Sequence, residues 1–320
     1  MLKTSGNGVT LGDRIVAHAR MMRLDHSIKQ IFVAPGIVLA VSIGGVHLSA
    51  ALWVRILIGL VSATLIASSN YVLNELLDAP FDRLHPSKQS RPAASGLAHH
   101  GWGYVQWIVL MLAGMALAAL LGLGFALSAG GLWIMGCVYN IPPVRGKDVA
   151  YLDVLTESIN NPLRFCLGWY SVVTNLLPPT SLLISYWMLG CFFMTLKRFS
   201  EYRQIADHER AASYRSSFAH YSEETLLNSA TFYAASSMLF FGAFIMRYRI
   251  ELILSFPVIA WLMAVYFSLS FRPDSPVQHP ELLYKEPALM IPLTLCIALM
   301  VVLLFLNVPW IAFTFPKSAP

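Results

Sequence analysis

The chain has 320 residues, of which 57% are hydrophobic and only 12% are charged, and its formal net charge is +5. A soluble domain carries about 25% charged residues, so this composition excludes an ordinary soluble protein. It predicts an all-α polytopic membrane protein. The four cysteines lie in apolar segments without the spacing of metal ligands, which indicates small buried side chains.

Residues 1–25 lack the apolar core of a signal peptide and predict a cytoplasmic tail with an amphipathic helix at the membrane surface. Apolar runs then predict about nine transmembrane helices around a central cavity open to the cytoplasm. Residues 26–313 are expected to form a single helical membrane domain, and 314–320 a short tail. The expected spans are 28–48, 51–78, 103–122, 124–141, 152–173, 180–200, 225–246, 251–271 and 288–312.

Most lysines and arginines fall in the N-terminal segment and in the long polar connections on the same side of the predicted bundle. Basic residues collect on the cytoplasmic side of membrane proteins, so this side is expected to be cytoplasmic. The opposite connections are short and nearly uncharged. A site for a polar substrate would therefore open to the cytoplasm, where Mg²⁺ and phosphorylated metabolites are available.

The richest polar stretch, residues 70–92, follows an apolar run. Asn70, Asn74 and Asp78 are spaced four apart, so they line one face of a helix. Asp82 continues the spacing, although Pro80 predicts that the helix kinks or ends there. Carboxylates at the end of a membrane helix are costly unless they are paired or bind a cation. Their oxygens suit Mg²⁺, which one or two carboxylates usually hold together with substrate phosphates.

The loop that follows adds Lys88 and Arg91, which can bind the same phosphates. The whole stretch resembles the first signature of the UbiA superfamily of intramembrane prenyltransferases, N-D-x-x-D-x-x-x-D followed by K-x-x-R-P. Glu75 stands where the family usually has Asp. The resemblance implies Mg²⁺ as cofactor and a polyprenyl lipid as substrate. The matching residues are Asn74, Asp78, Asp82, Lys88, Arg91 and Pro92.

A second polar stretch spans residues 195–221. Most of the superfamily has D-x-x-x-D here, whereas this chain has K-R-x-x-E at Lys197, Arg198 and Glu201. That pattern resembles the decaprenyl-phosphate phosphoribosyltransferase branch, and Ala211–Tyr221 is loosely similar to a Tyr- and Ser-containing stretch of that branch. The resemblance implies that Lys197 and Glu201 belong to the site, Glu201 through the metal, and that Arg198 faces phosphate. The alternative is a solvated interfacial helix with internal ion pairs.

The segment 20–35 partly matches the start of the same branch at Arg23, Lys29 and Gln30. Lys29 begins the first predicted span and is expected to face the cytoplasmic mouth. The alternative is that these basic residues only anchor the first span.

The segment 139–164 resembles the Y-x-x-P-P-x-[RK]-x-K region of the superfamily. The resemblance places Tyr139, Arg145 and Lys147 near the substrate. Further polar residues then fall on one face of a predicted helix, which indicates either a cavity lining or an internal salt bridge. They are Asp153, Glu157, Asn160, Arg164 and Gly168.

Together these features predict an Mg²⁺-dependent transferase that joins a polyprenyl lipid to a phosphorylated sugar or other small acceptor, with loss of diphosphate. The branch resemblance favours phosphoribosyl transfer from phosphoribosyl pyrophosphate to a polyprenyl phosphate, and it implies a bacterial inner membrane. The alternatives are prenyl transfer from a polyprenyl diphosphate to an aromatic or other acceptor, and a non-enzymatic transporter. Membrane lipids are expected to surround the protein, and no nucleic-acid partner is expected.

The expected roles are as follows. The catalytic residues are Asp78, Asp82, Lys197 and Glu201, and the metal ligands are Asn74, Asp78, Asp82 and Glu201. The diphosphate and substrate are bound by Lys29, Asn70, Asn74, Lys88, Arg91, Tyr139, Arg145, Lys147 and Arg198.

Overall fold

The computed structural model describes residues 10–83, 88–205 and 207–314, apart from the side chains of residues 26–29, 280, 281 and 312. These residues form a succession of helices. The bounds are α1 Leu11–Met21, α2 Ala34–Gly44, α3 Ala50–Asp82, α4 His100–Leu121, α5 Leu123–Asn140, α6 Leu152–Ser158, α7 Asn160–Val172, α8 Thr180–Ile205, α9 His208–Tyr214, α10 Glu223–Tyr248, α11 Phe256–Leu269, α12 Pro287–Phe305 and α13 Pro309–Thr314.

Seven helical segments of the described chain are long and apolar enough to cross a membrane. They are α3, α4, α5, α8, α10, Ile250–Leu269 (which includes α11) and α12. This confirms the predicted all-α polytopic membrane fold. The count of nine spans and the central cavity stay predictions, as do the proposed domain limits.

Two of the predicted spans are interrupted. The span expected at 28–48 consists of a 3₁₀ helix, Leu24–Val33, followed by the short helix α2. The span expected at 152–173 is divided at Ile159 into α6 and α7. Pro162 has no N–H to donate to the carbonyl of Ser158, so it disfavours one continuous helix here. The residues predicted to share one polar face are therefore divided between α6 and α7, and the shared face stays a prediction.

One compact unit comprises the segments up to Gly36, Leu48–Arg145 and Leu163–Thr174. Within it, α3 and α4 pack closely through small residues, as is common in membrane bundles. The Ser62 hydroxyl donates to the Gly114 carbonyl (2.7 Å), and the Ser69 hydroxyl donates to the Trp107 carbonyl (2.8 Å). These bonds place the polar end of α3 beside the start of α4.

Helix α3 begins at Ser49, whose hydroxyl accepts a hydrogen bond from the Leu52 amide. It contains Pro80 and ends at Asp82, two residues beyond the expected kink or end. A proline in the last turn removes only one intrahelical bond there, and the Arg83 amide still bonds to the Ala79 carbonyl (3.2 Å). As a result, Asp82 belongs to the same helix as the rest of the motif.

The other compact unit comprises Ile37–His47, Gly146–Pro162 and Asn175–Pro320. Its helices α8 and α10 are joined inside their apolar lengths by two buried serines. The Ser185 hydroxyl donates to the Ser237 carbonyl (2.9 Å), and the Ser237 hydroxyl donates to the Ser185 carbonyl (3.0 Å). Near the end of α8, Phe199, Phe218 and Leu226 form a buried cluster that holds the segment 207–222 against α8.

Candidate functional site

The last turns of α3 carry the motif cluster, which we define as Asn74, Asp78, Asp82, Arg91 and Arg145. The Asn74 Nδ2 group donates to Asp78 Oδ2 (3.2 Å) and to Asn140 Oδ1 (2.6 Å). Both bonds use the amide nitrogen, so they leave the Asn74 Oδ1 atom, which is a possible cation ligand, out of the network. Asn140 is buried and its Nδ2 donates to the Gly136 carbonyl (2.9 Å), which fixes the orientation of the Asn74 amide.

Each aspartate of the motif cluster is paired with an arginine. Arg145 Nη2 lies 3.1 Å from Asp78 Oδ1, and Arg91 Nη1 lies 2.6 Å from Asp82 Oδ2. The structure thus brings together the carboxylates predicted to bind a metal and two of the cations predicted to bind phosphate. Guanidinium groups next to carboxylates at a helix end provide both signs of charge that a metal–diphosphate complex requires.

Glu75, the departure from the family motif, is 2% exposed and has different partners. It accepts a hydrogen bond from the Ala93 amide (3.2 Å) and lies 3.7 Å from Arg23 Nε. It therefore fastens the loop after α3 and the segment after α1 to α3. Burial lowers the pKa of the Arg23 guanidinium, the neighbouring Arg91 lowers it further, and Glu75 opposes this change.

Two of these arginines have backbone conformations that L residues rarely adopt. The φ angle is 48° at Arg23 and 32° at Arg145. Such left-handed residues persist only when surrounding contacts hold them, and they are common at functional sites. The ion pairs to Glu75 and Asp78 are contacts of this kind.

Asn70 lies one turn before Asn74, and its Nδ2 donates to the Leu132 carbonyl (2.9 Å). This close approach requires a glycine on α5, because a Cβ atom at Gly136 would overlap the Asn70 amide. Asn70 therefore positions α5 against α3, and α5 in turn carries Asn140.

We predict that Gly136→Ala pushes α5 away from Asn70 and disturbs the hydrogen bond from Asn74 to Asn140. Turnover should fall by about tenfold or more, since misplaced positioning groups have effects of that size. The control is Gly242→Ala on α10, where an added Cβ meets no atom within 4 Å. Equal activity of the two variants in the same transfer assay would contradict this role.

The other predicted residues of this unit are less informative. Tyr139 is half-buried near the end of α5, and the Lys88 carbonyl accepts a hydrogen bond from the Arg91 amide (2.9 Å). Lys29 lies in the 3₁₀ helix, but its side chain is outside the described part of the chain. Their roles in substrate binding stay predictions.

The second unit contains a buried network that we call the Asp153 cluster. Asp153 is 0% exposed, and its Oδ2 atom accepts hydrogen bonds from Arg198 Nε (3.0 Å) and the Ser217 hydroxyl (3.2 Å). Its Oδ1 atom accepts from the Tyr221 hydroxyl (2.8 Å), which itself accepts from the Tyr151 amide (2.6 Å). These donors hold the buried carboxylate in one orientation.

Arg198 connects the Asp153 cluster to the rest of the K-R-x-x-E pattern. Its side chain is 3% exposed, and Nη1 lies 3.1 Å from Glu201 Oε2. Lys197 Nζ lies 3.9 Å from Glu201 Oε1. Arg215, from the segment after α9, lies 3.8 Å from Asp153. These ion pairs therefore join three cations to two carboxylates.

The two tyrosines of the segment 211–221 remain protonated in this network. Burial raises the pKa of Tyr221, and the adjacent Asp153 carboxylate raises it further. Burial and the neighbouring Glu201 raise the pKa of Tyr214. Tyr221 is therefore a permanent donor to Asp153. Lys147 belongs to the same unit, where it is buried on the short helical turn Gly146–Asp148.

The donor set of the motif cluster fits Mg²⁺. It offers two aspartates and an amide oxygen, all hard ligands, while Mg²⁺ typically takes one or two carboxylates and completes its shell with water and phosphate. Among the described residues, no group of three or more His, Cys, Asp or Glu side chains is close enough to hold a metal ion. Two aspartates and one amide oxygen are fewer than the six ligands of an octahedral Mg²⁺ ion, so positions would remain for water and phosphate.

The fold and the motif cluster define an integral membrane protein with charge-paired carboxylates at the end of a membrane helix. The chain belongs to the UbiA prenyltransferase family, whose model matches residues 31–284. This confirms the resemblance noted in the sequence and, at the level of the family, the prediction of a UbiA-type enzyme.

The chain also resembles a UbiA homolog from Archaeoglobus fulgidus, solved bound to GPP and Mg²⁺, with a TM-score of 0.66 and 21% identity over 91% of this chain and 100% of that one. It is 32% identical over 143 residues to nodulation protein NoeC from Azorhizobium caulinodans, covering 44% of each chain. It is 28% identical over 193 residues to decaprenyl-phosphate phosphoribosyltransferase from Mycolicibacterium smegmatis, covering 59% of this chain and 57% of the relative. The matches span from about a fifth to just over half of the curated relatives' lengths.

Sequence reasoning missed several residues of both clusters. Asn140, which orients Asn74, was detectable only as a polar residue in an apolar run. Asp153 was noted as part of a polar face, but its partners Ser217 and Tyr221 lie more than 60 residues further along the chain. Glu75 was noted only as a departure from the motif, and its pairing with Arg23 follows from the position of α1.

Proposed function

We propose that the protein transfers a phosphoribosyl group from phosphoribosyl pyrophosphate to a polyprenyl phosphate in an Mg²⁺-dependent reaction. The observation that carries this proposal is the group of three cations that pair with Asp153 and Glu201. Lys197, Arg198 and Arg215 surround Asp153 and Glu201, where most of the family has an aspartate pair. The partial match to a decaprenyl-phosphate phosphoribosyltransferase supports the same choice.

The charge balance distinguishes the two transfer reactions. A prenyl diphosphate and an aromatic acceptor bring one diphosphate to the enzyme. Phosphoribosyl pyrophosphate and a polyprenyl phosphate bring one diphosphate and two phosphate monoesters. A second aspartate pair suits an additional metal ion, whereas arginine and lysine suit phosphate oxygens directly. The replacement of carboxylates by cations therefore favours the pair of substrates with more phosphate.

In this proposal, Asn74, Asp78 and Asp82 would hold Mg²⁺, which neutralises charge on the departing diphosphate when it is bound. Arg91 and Arg145, which neutralise the aspartates in this structure, would pair with diphosphate oxygens. The prediction that Glu201 takes part in metal binding stays a prediction. In the second unit, Glu201 holds the Lys197 and Arg198 side chains in place.

The proposed step is a substitution at the anomeric carbon of the ribose. A phosphate oxygen of the lipid forms a bond to C1, and the bond between C1 and the diphosphate oxygen breaks. Diphosphate leaves with the bonding electron pair. The lipid phosphate is already ionised at neutral pH, so the step needs no strong base. The main task of the protein is then to position two anionic substrates and to offset their charge.

Prenyl transfer is the second candidate. The structural neighbours from Archaeoglobus fulgidus were solved with GPP or DMAPP and Mg²⁺. The motif cluster would serve a prenyl diphosphate equally well, because it recognises a metal–diphosphate complex and not the group attached to it.

We also propose that the protein lies in a bacterial inner membrane with the motif cluster facing the cytoplasm. The distribution of basic residues supports this orientation.

The test uses full-length protein in detergent with Mg²⁺. One assay contains phosphoribosyl pyrophosphate and a polyprenyl phosphate, and the other contains geranyl diphosphate and an aromatic acid. We expect diphosphate release and a phosphoribosylated lipid in the first assay only. Product in the second assay alone would overturn the proposal in favour of prenyl transfer.

We further predict that Lys197→Ala lowers phosphoribosyl transfer by about tenfold, because a charge-assisted contact to phosphate contributes 1.5–3 kcal/mol in typical cases. Lys285→Ala is the control, since Lys285 is an exposed lysine of the same unit whose ammonium lies over the Tyr284 ring. If both variants retain wild-type rates, Lys197 has no part in the site.

A further inference from the structure

A pocket of about 710 Å³ lies between α1 and the loop that follows α3. It is separate from the acidic side of the motif cluster, since neither Asp78 nor Asp82 lines it. Its lining residues are Val16, Ala19, Arg20, Arg23, Leu24, Asp25, Glu75, Arg91 and Pro92.

Three arginines converge on this pocket. Arg23 and Arg91 both line the pocket, and Arg91 is close enough to lower the pKa of the Arg23 guanidinium. Arg20 is exposed and takes part in none of the ion pairs found in the described ranges of the chain. The Glu75 and Asp25 carboxylates of the lining offset part of this charge, and Arg91 is also paired with Asp82. Arg20 is therefore the arginine of the lining that we test. Positive charges held together around a cavity favour the binding of an anion between them, because the anion reduces their mutual repulsion.

The pocket is held in place by the packing of α1. Ala17 and Met21 are buried in one cluster with Leu76 and Ala79 of α3. On α4, the Gln106 Nε2 group donates to the His18 carbonyl (2.9 Å). The turn that carries Arg20 is therefore held against both α3 and α4, so the backbone of Arg20 has a fixed position.

The rim of the pocket is apolar. Val16 is 50% exposed and Leu24 is 54% exposed, and the same helix also exposes Leu11 and Ile15. An amphipathic helix with such a face lies at the membrane interface. The lining of the pocket therefore combines arginine side chains with exposed apolar side chains, a combination that suits the head group of a lipid.

We propose that the pocket lined by Arg20 and Arg23 binds a phosphate group next to Arg91, the arginine that this pocket shares with the motif cluster. The phosphate could belong to a membrane lipid or to a soluble phosphate ester. This site does not depend on the proposed transfer reaction, because phosphate binding here requires neither Mg²⁺ nor turnover.

The experiment measures binding in two arms, both with full-length protein and with EDTA present. In the first arm, ribose 5-phosphate is titrated into the protein in a neutral detergent and heat is recorded. In the second arm, the protein is taken from vesicles of equal phosphatidylglycerol and phosphatidylcholine, and the retained lipid is counted by native mass spectrometry. The variants are Arg20→Ala and, as a matched control on the same helix, the exposed Arg14→Ala, which lies outside the pocket.

We expect Arg20→Ala to weaken binding by about tenfold in one arm and Arg14→Ala to change it by less than about twofold. The arm that responds identifies the phosphate source. Unchanged binding by Arg20→Ala in both arms would overturn the proposal. An equal loss with Arg14→Ala would also overturn it, because the attraction would then belong to the charge of α1 and not to the pocket. Arg20 is exposed, so thermal unfolding of this variant should match the wild type.

Discussion

Asp78→Asn should lower turnover by more than about 100-fold, whichever pair of substrates the enzyme uses. Outer residues that only orient metal ligands typically contribute about 10–100-fold, and a direct ligand should exceed that range. The substitution keeps the size of the side chain but removes the charge that pairs with Arg145 at 3.1 Å. We also expect the Mg²⁺ concentration for half-maximal rate to rise. A titration of rate against Mg²⁺ measures both effects.

The control for this prediction is Glu224→Gln, which neutralises an exposed carboxylate in the first turn of α10. It should retain the wild-type rate and Mg²⁺ dependence. Wild-type turnover by Asp78→Asn, with an unchanged Mg²⁺ titration, would remove Asp78 from the metal site. Asp82→Asn should also lower turnover and raise the Mg²⁺ requirement, because Asp82 has the same kind of arginine partner, Arg91 at 2.6 Å.

Asp153→Asn should destabilise the protein by about 3 kcal/mol, the largest effect on stability that we expect from a single isosteric change. It removes one of the carboxylates that pair with Arg198, whose side chain is 3% exposed. Removing one partner of a buried ion pair typically costs 3–5 kcal/mol, because the other charge stays buried. The thermal midpoint, followed by size-exclusion fluorescence after heating, measures the loss.

A double variant separates this explanation from simple damage to packing. Arg198→Met combined with Asp153→Asn removes both charges, and replacement of a whole buried pair is often nearly neutral. The double variant should therefore be more stable than Asp153→Asn alone. If the two losses add instead, the pairing of Asp153 with Arg198 is not what holds this region together.

The parts of the fold that could be predicted from sequence are those determined by local pattern. The long apolar runs predicted α3, α4, α5, α8, α10 and Ile250–Leu269 within a few residues, because hydrocarbon thickness sets their length. They also predicted the start of α12, although this helix ends at Phe305, before the expected residue 312. The four-residue spacing of Asn70, Asn74 and Asp78 predicted one helical face, and the structure adds Asp82 to the same helix. The motif cluster thus follows largely from a single stretch of chain.

What could not be predicted depends on contacts between distant segments. The partners of Asp153 come from α8 and from the segment after α9. The periodicity of a sequence does not indicate which distant segments contact each other. The break at Ile159 was missed because the polar residues on both sides of it fit one helical face, while Pro162 acts only through its missing N–H. The pairing of Arg23 with Glu75 likewise depends on where α1 packs on α3.

The reciprocal bonds of Ser185 and Ser237 have a consequence at a distance. Each hydroxyl reaches the main chain of the opposite helix, so a slide of α8 along α10 by one turn would break both bonds at once. Arg198 lies 13 positions further along α8, which is about 20 Å along a helix axis. The two serines therefore set the axial register of α8, and through it the depth at which the Arg198 guanidinium meets Asp153.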